Sequence, residues 1–129
     1  MAGRQRYRLD FAFGSRPTSD HHAMNYIALF FAGAFLCNCI PHLVSGLIGA
    51  PFPSPFSKPR GVGDSPPIVN FFWGFFNFLC GACLLSNHPV AVGFNPGFGA
   101  LVVGALAMGT QLSLHFGRVR RDKSGKAPD

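Results

Sequence analysis

The chain has 129 residues; 48% are hydrophobic, 12% are charged, fifteen are phenylalanine, and the formal net charge is +6. Every Lys, Arg and Asp falls within residues 1–20, 58–64 or 118–129, and Glu does not occur. A water-soluble helical core needs charged outer stripes to meet water, so two long uncharged stretches, 21–57 and 65–117, argue against one and point to lipid as the solvent.

The excess positive charge is not a nucleic-acid signature. The basic run from Arg118 to Lys126 has no interleaved aromatics on which bases would stack, and it directly follows an apolar segment. Basic residues in that position fit the positive-inside rule, with anionic headgroups of the lipid bilayer as their partners. No nucleic acid is expected.

In chain order, residues 1–24 form a basic tail with no period that would bury a face. Met24 stands just before the first apolar run, so 1–23 reads either as a disordered tail or as an extension upstream of a true start at Met24. The transmembrane domain is expected over 25–117, followed by a basic cytoplasmic tail over 118–129. Segment one, about Tyr26–Ile48, is long enough to cross ~30 Å of hydrocarbon, and Pro41 inside it is expected to kink the helix. A proline-rich loop, A-P-F-P-S-P-F-S-K-P-R-G-V-G-D-S-P-P, follows over 50–67. Its prolines favour an extended path, lying on the headgroups or folding back onto the helices. Asp64 and Ser65 offer N-cap oxygens to the next helix, with Pro66 and Pro67 in its first turn. Segment two runs from about Pro67 to Leu85 and segment three from about Gly97 to Phe116, joined by a connection rich in helix breakers. The fold class is an all-α membrane protein with three transmembrane helices. Basic residues in the first loop and at the C-terminus put both in the cytoplasm and the N-terminus outside.

Within these segments the polar and small residues line up at helical spacing. Asn38, His42 and Ser45 share one face of segment one, with Gly49 extending it. Asn70, Gly74, Asn77 and Gly81 do the same in segment two, and Ala100, Gly104, Ala107 and Gln111 in segment three, with His115 one turn further. Small residues let helices approach closely and amides hydrogen-bond across the seam, so a three-helix bundle around this stripe is expected. Antiparallel depth predicts Asn38–Asn77 contact, and His42 contact with Asn70 or Gln111. The pair Ala105/Gly109 is left facing lipid, as a candidate contact for oligomerisation.

Two readings of the stripe compete: polar residues that hold helices together, and a functional site centred on His42, an ionisable group at membrane depth. A metal site built from Cys37, Cys39, His42, Cys80 and Cys83 is disfavoured. On a helix Cys37 and Cys39 point about 200° apart, and Cys80 and Cys83 lie in the opposite half of the bilayer from His42. Buried cysteine acting as a small apolar side chain is the simpler account. A haem held by His42 and His115 is weakly supported, and no metal or cofactor is expected. The chain carries no nucleophile motif, no H-E-x-x-H, no phosphate-cradling loop and no membrane carboxylate pair, so it does not read as an enzyme.

Through N-C-I-P-H-L-V-S-G, P-F-P-S-P-F-S-K-P-R-G-V-G, S-P-P-I-V-N and W-G-F-F-N, residues 26–85 resemble a family of small uncharacterised bacterial integral membrane proteins. The resemblance implies a bacterial inner-membrane location and carries over no activity or site residue. The reading that follows is an accessory or interaction subunit, as a homo-oligomer or with a larger membrane partner. The alternative is a small transport or proton-conducting module using Asn38, His42, Asn70, Asn77 and Gln111.

Overall fold

The computed structural model describes residues 19–125. Three helices account for most of them: α1 (Ser19–Leu47), α2 (Pro67–Asn87) and α3 (Pro96–Ser124). Each is long and apolar enough to cross a membrane; at ~1.5 Å per residue even the 21 residues of α2 span about 32 Å. The protein is an all-α, multi-pass membrane protein by architecture. Among the described residues the one sheet is a pair of two-residue strands, β1 (Phe52–Pro53) and β2 (Asp64–Ser65), antiparallel with Phe52 opposite Ser65.

The helix ends depart from expectation in instructive ways. Helix α1 begins at Ser19, well before residue 25; the tail or start-site question for residues 1–18 lies outside the described residues. Pro41 sits inside α1, which stays helical on both sides of it. Gly49 does not extend the polar face. It takes φ +71° just past the helix end, where Ala50 N–H donates to the Ser45 carbonyl at 2.9 Å and Gly49 N–H to the Gly46 carbonyl at 3.4 Å. That is a Schellman termination, which a residue without Cβ adopts at no steric cost. At α2 the N-cap is Pro66, with no side-chain cap bond, so the capping expected of Asp64 and Ser65 does not occur. Prolines at 66 and 67 have already removed two N–H groups that a cap would serve. Helix α3 opens as its sequence dictates: the Asn95 side chain accepts from Phe98 N–H at 2.9 Å, with Pro96 in the first turn. It then runs to Ser124 through the basic residues assigned to a tail, because cations favour a helix C-terminus.

Helix α1 is the centre of the molecule. Both α2 and α3 pack along it, while α2 and α3 barely touch each other. The expected three-way seam is therefore two separate seams. On one, α2 presents Asn70, Gly74, Asn77 and Gly81, its four buried positions; a Cβ on Gly74 would crowd Leu43 and one on Gly81 would crowd Leu36. On the other, a Cβ on Gly33 would overlap the Leu101 carbonyl and one on Gly104 the Phe30 carbonyl, so backbone meets backbone. Gly109 also belongs to this seam, since a Cβ there would lie 3.2 Å from Cys37 Sγ. The pair Ala105/Gly109 thus faces α1 and not lipid. The register is set by Gly33 and Gly104, whose close approach turns residues 101, 105 and 109 inward.

Candidate functional site

The segments N-C-I-P-H, the proline-rich loop and S-P-P-I-V-N meet at one residue, Asn70, whose side chain is fully buried. Its Nδ2 donates to the Phe52 carbonyl at 2.9 Å and the Ser65 carbonyl at 3.1 Å. Those bonds orient the amide, so Oδ1 is the acceptor that faces His42 Nδ1 at 2.8 Å. His42 therefore donates from Nδ1, and its tautomer is set by the amide opposite. The imidazole is 3% exposed and ringed by aromatics: Phe52 at 5.5 Å, Trp73 at 6.4 Å and Phe116 at 6.4 Å between ring centroids, all edge-on.

The loop is folded, not extended, and it lies back on the helices. Ser54 and Ser65, both buried, share a hydrogen bond at 2.6 Å. Ser57 Oγ donates to the Ser54 carbonyl at 2.7 Å, and Gly61 N–H reaches the same carbonyl at 2.9 Å. Gly61, at φ +69°, turns its carbonyl to His115 Nε2 at 2.7 Å, which ties the loop to α3. Lys123 adds an exposed ion pair to Asp64 at 2.7 Å. A loop whose regular structure is limited to the two-residue strand pair β1–β2 is stable here because its own hydroxyls satisfy much of its remaining backbone.

One turn deeper, Asn38 Nδ2 donates to Asn77 Oδ1 at 2.9 Å, and Asn77 Nδ2 donates to the Trp73 carbonyl at 2.7 Å. The structure thus brings together Asn38 with Asn77 and His42 with Asn70. Gln111 does not join them. It is exposed, on the wall of a cleft of about 440 Å³ that runs between α2 and α3 over α1. Phe30, Phe35, Trp73 and Ala107 line that cleft, with Asn38 and Asn77 in its floor. The reason is the α1–α3 register: Gly104 against Phe30 leaves Gln111, seven residues on, facing the gap that α2 does not close.

His115 spends its Nε2 proton on the Gly61 carbonyl of the loop, and His42 its Nδ1 proton on Asn70. Among the described residues no group of three or more His, Cys, Asp or Glu is placed to hold a metal. Cys39 is buried and donates to the Leu36 carbonyl at 3.0 Å.

Three elements were missed in the sequence: the serine network of the loop, the His115–Gly61 tie, and an exposed contact of His88 Nδ1 with Asn25 Oδ1 at 2.8 Å at the opposite end. The serines between prolines were a legible signal for local turns; the two histidine contacts join residues 54 and 63 apart and left none. The chain matches no family model, no curated protein and no solved structure with which it was compared.

Proposed function

We propose that the protein is an accessory subunit of the bacterial inner membrane, with its N-terminus outside and its C-terminus in the cytoplasm, which works by seating one helix of a larger membrane protein in the cleft between α2 and α3. The observation that carries this reading is the cleft itself. It is open along the lipid face, aromatic and aliphatic on its walls, and it leaves the Gln111 amide without a hydrogen bond among the described residues. An amide at membrane depth gains from a partner helix bearing Ser, Thr, Asn or Gln at the same level, by about 0.6–2 kcal/mol.

A conducting path through the polar stripe is less well supported. Asn70 commits its amide hydrogens to loop and first-turn carbonyls, Asn77 and Asn38 bond each other, and Gln111 stands apart. A proton is offered isolated pairs, not a chain of exchangeable donors.

The test places a photo-crosslinking amino acid at Ala107, inside the cleft, and at Phe72, on the lipid side of α2, in native membranes. The expected result is one discrete, heavier adduct from position 107 and none from 72. Adducts containing only this chain would reassign the cleft to a second copy. Absence of any adduct, together with proton leak in liposomes that His42→Ala abolishes, would overturn the reading in favour of a conduit.

A further inference from the structure

At its C-terminal end α3 runs about two turns past Phe116, through the basic residues to Ser124, and this extension faces something. Phe116, Arg120 and Lys123 share one helix face, at i, i+4 and i+7, and together they form one wall of a cavity of about 240 Å³. The opposite wall is the start of the folded loop, Pro51, Phe52 and Pro53. Lys123 is held there by Asp64. Arg120 has no ion-pair partner among the described residues.

We infer that this cavity is the seat of one phosphate diester, the headgroup of an anionic phospholipid. The inference stands apart from the assembly reading above and uses different residues. A guanidinium presents a planar fork of donors that fits phosphate oxygens two at a time; Lys123 offers further N–H donors from the same side, its charge balanced by Asp64, which also lines the cavity, so the net charge of the site is that of Arg120. The rest of the lining is largely apolar: the Phe52 and Phe116 rings lie 4.5 Å apart, and Val119 is buried. Along α3 the lining passes from Lys123 and Arg120 to Phe116 in the direction of the apolar segment, the order of phosphate and acyl ester in a lipid crossing the interface. The volume holds about eight waters at ~30 Å³ each, which is room for a phosphate and its glycerol.

The rival account is diffuse attraction of the whole basic run to a negative membrane surface, worth roughly fivefold in affinity for any one Lys or Arg. Arg118 separates the two, since it lies about 200° around the helix from Arg120 and outside the cavity wall. The full chain in mild detergent is titrated with phosphatidylglycerol or phosphatidylcholine, and retained lipid is counted by native mass spectrometry. One phosphatidylglycerol per chain is expected, with phosphatidylcholine retained far less. Arg120→Ala should weaken retention about tenfold more than Arg118→Ala, and Arg120→Lys should fall between, as charge returns without the fork. Thermal unfolding of all three variants checks that the fold is kept. Equal losses from Arg118→Ala and Arg120→Ala, or equal retention of both lipids, would overturn the site. Displacement of phosphatidylglycerol by inorganic phosphate alone would overturn the lipid assignment and make soluble phosphate the ligand.

Discussion

The two seams of α1 solve the same problem by different means. Toward α2, the contact is specific and polar: Asn38–Asn77 and His42–Asn70 pair across it, and Asn70 extends the network into the loop. Toward α3, no side-chain hydrogen bond crosses between the helices at membrane depth among the described residues, and adhesion comes from carbonyls that pass directly over Gly33 and Gly104. In lipid there is no hydrophobic drive to bring helices together, so close packing and interhelical hydrogen bonds must do it. The α2 seam thereby encodes register in named pairs and the α3 seam in shape. A polar pair tolerates small shifts but leaves an orphan when one member is lost; a glycine contact has no orphan to leave but no room to give.

That contrast is most easily broken at Asn70. Asn70→Leu strands the His42 donor and the Phe52 and Ser65 carbonyls at once, and on the order of 3 kcal/mol of stability should be lost. Unfolding in mixed micelles measures it, and trypsin cleavage after Arg60 should speed up as the loop detaches. Next in size is the shape seam: Gly104→Val drives a side chain into the Phe30 carbonyl and should cost about 2 kcal/mol. It should loosen α3 while leaving a disulfide engineered between α1 and α2 unaffected. Asn38 and Asn77 come third. A double-mutant cycle with alanine should return a coupling of about 0.6 kcal/mol, and at most about 1.7, because lipid-exposed unfolded segments also find partners. The smallest effect belongs to the exposed Lys123–Asp64 pair. Lys123→Ala should change stability by less than about 0.5 kcal/mol, a difference that added salt removes. If the ranking of the first two reversed, shape and not polarity would be the stronger constraint on α1.

The resolution of the sequence reading follows the same divide. Asn38 with Asn77 and His42 with Asn70 were legible because each residue's helix face and depth can be counted along its own segment, and unpaired amides at equal depth have few alternatives. Gln111 was grouped with them on the same count and stands apart, because a count gives the face of α3 but not the direction in which that face turns. The loop's prolines announced an extended path; its serines closed a compact fold whose anchor, Asn70, lies in the next helix.

The amino-acid order alone determined that there are three apolar helices, roughly where each lies, and which residues share a face, since charge exclusion from hydrocarbon and the helical period are local properties. Tertiary structure alone decided that α1 is central, that α2 and α3 leave a cleft between them, and that Asn70 joins loop to histidine. Those outcomes rest on which backbones can approach within van der Waals contact, and that depends on pairs of residues such as Gly104 and Phe30 whose meeting no single segment encodes.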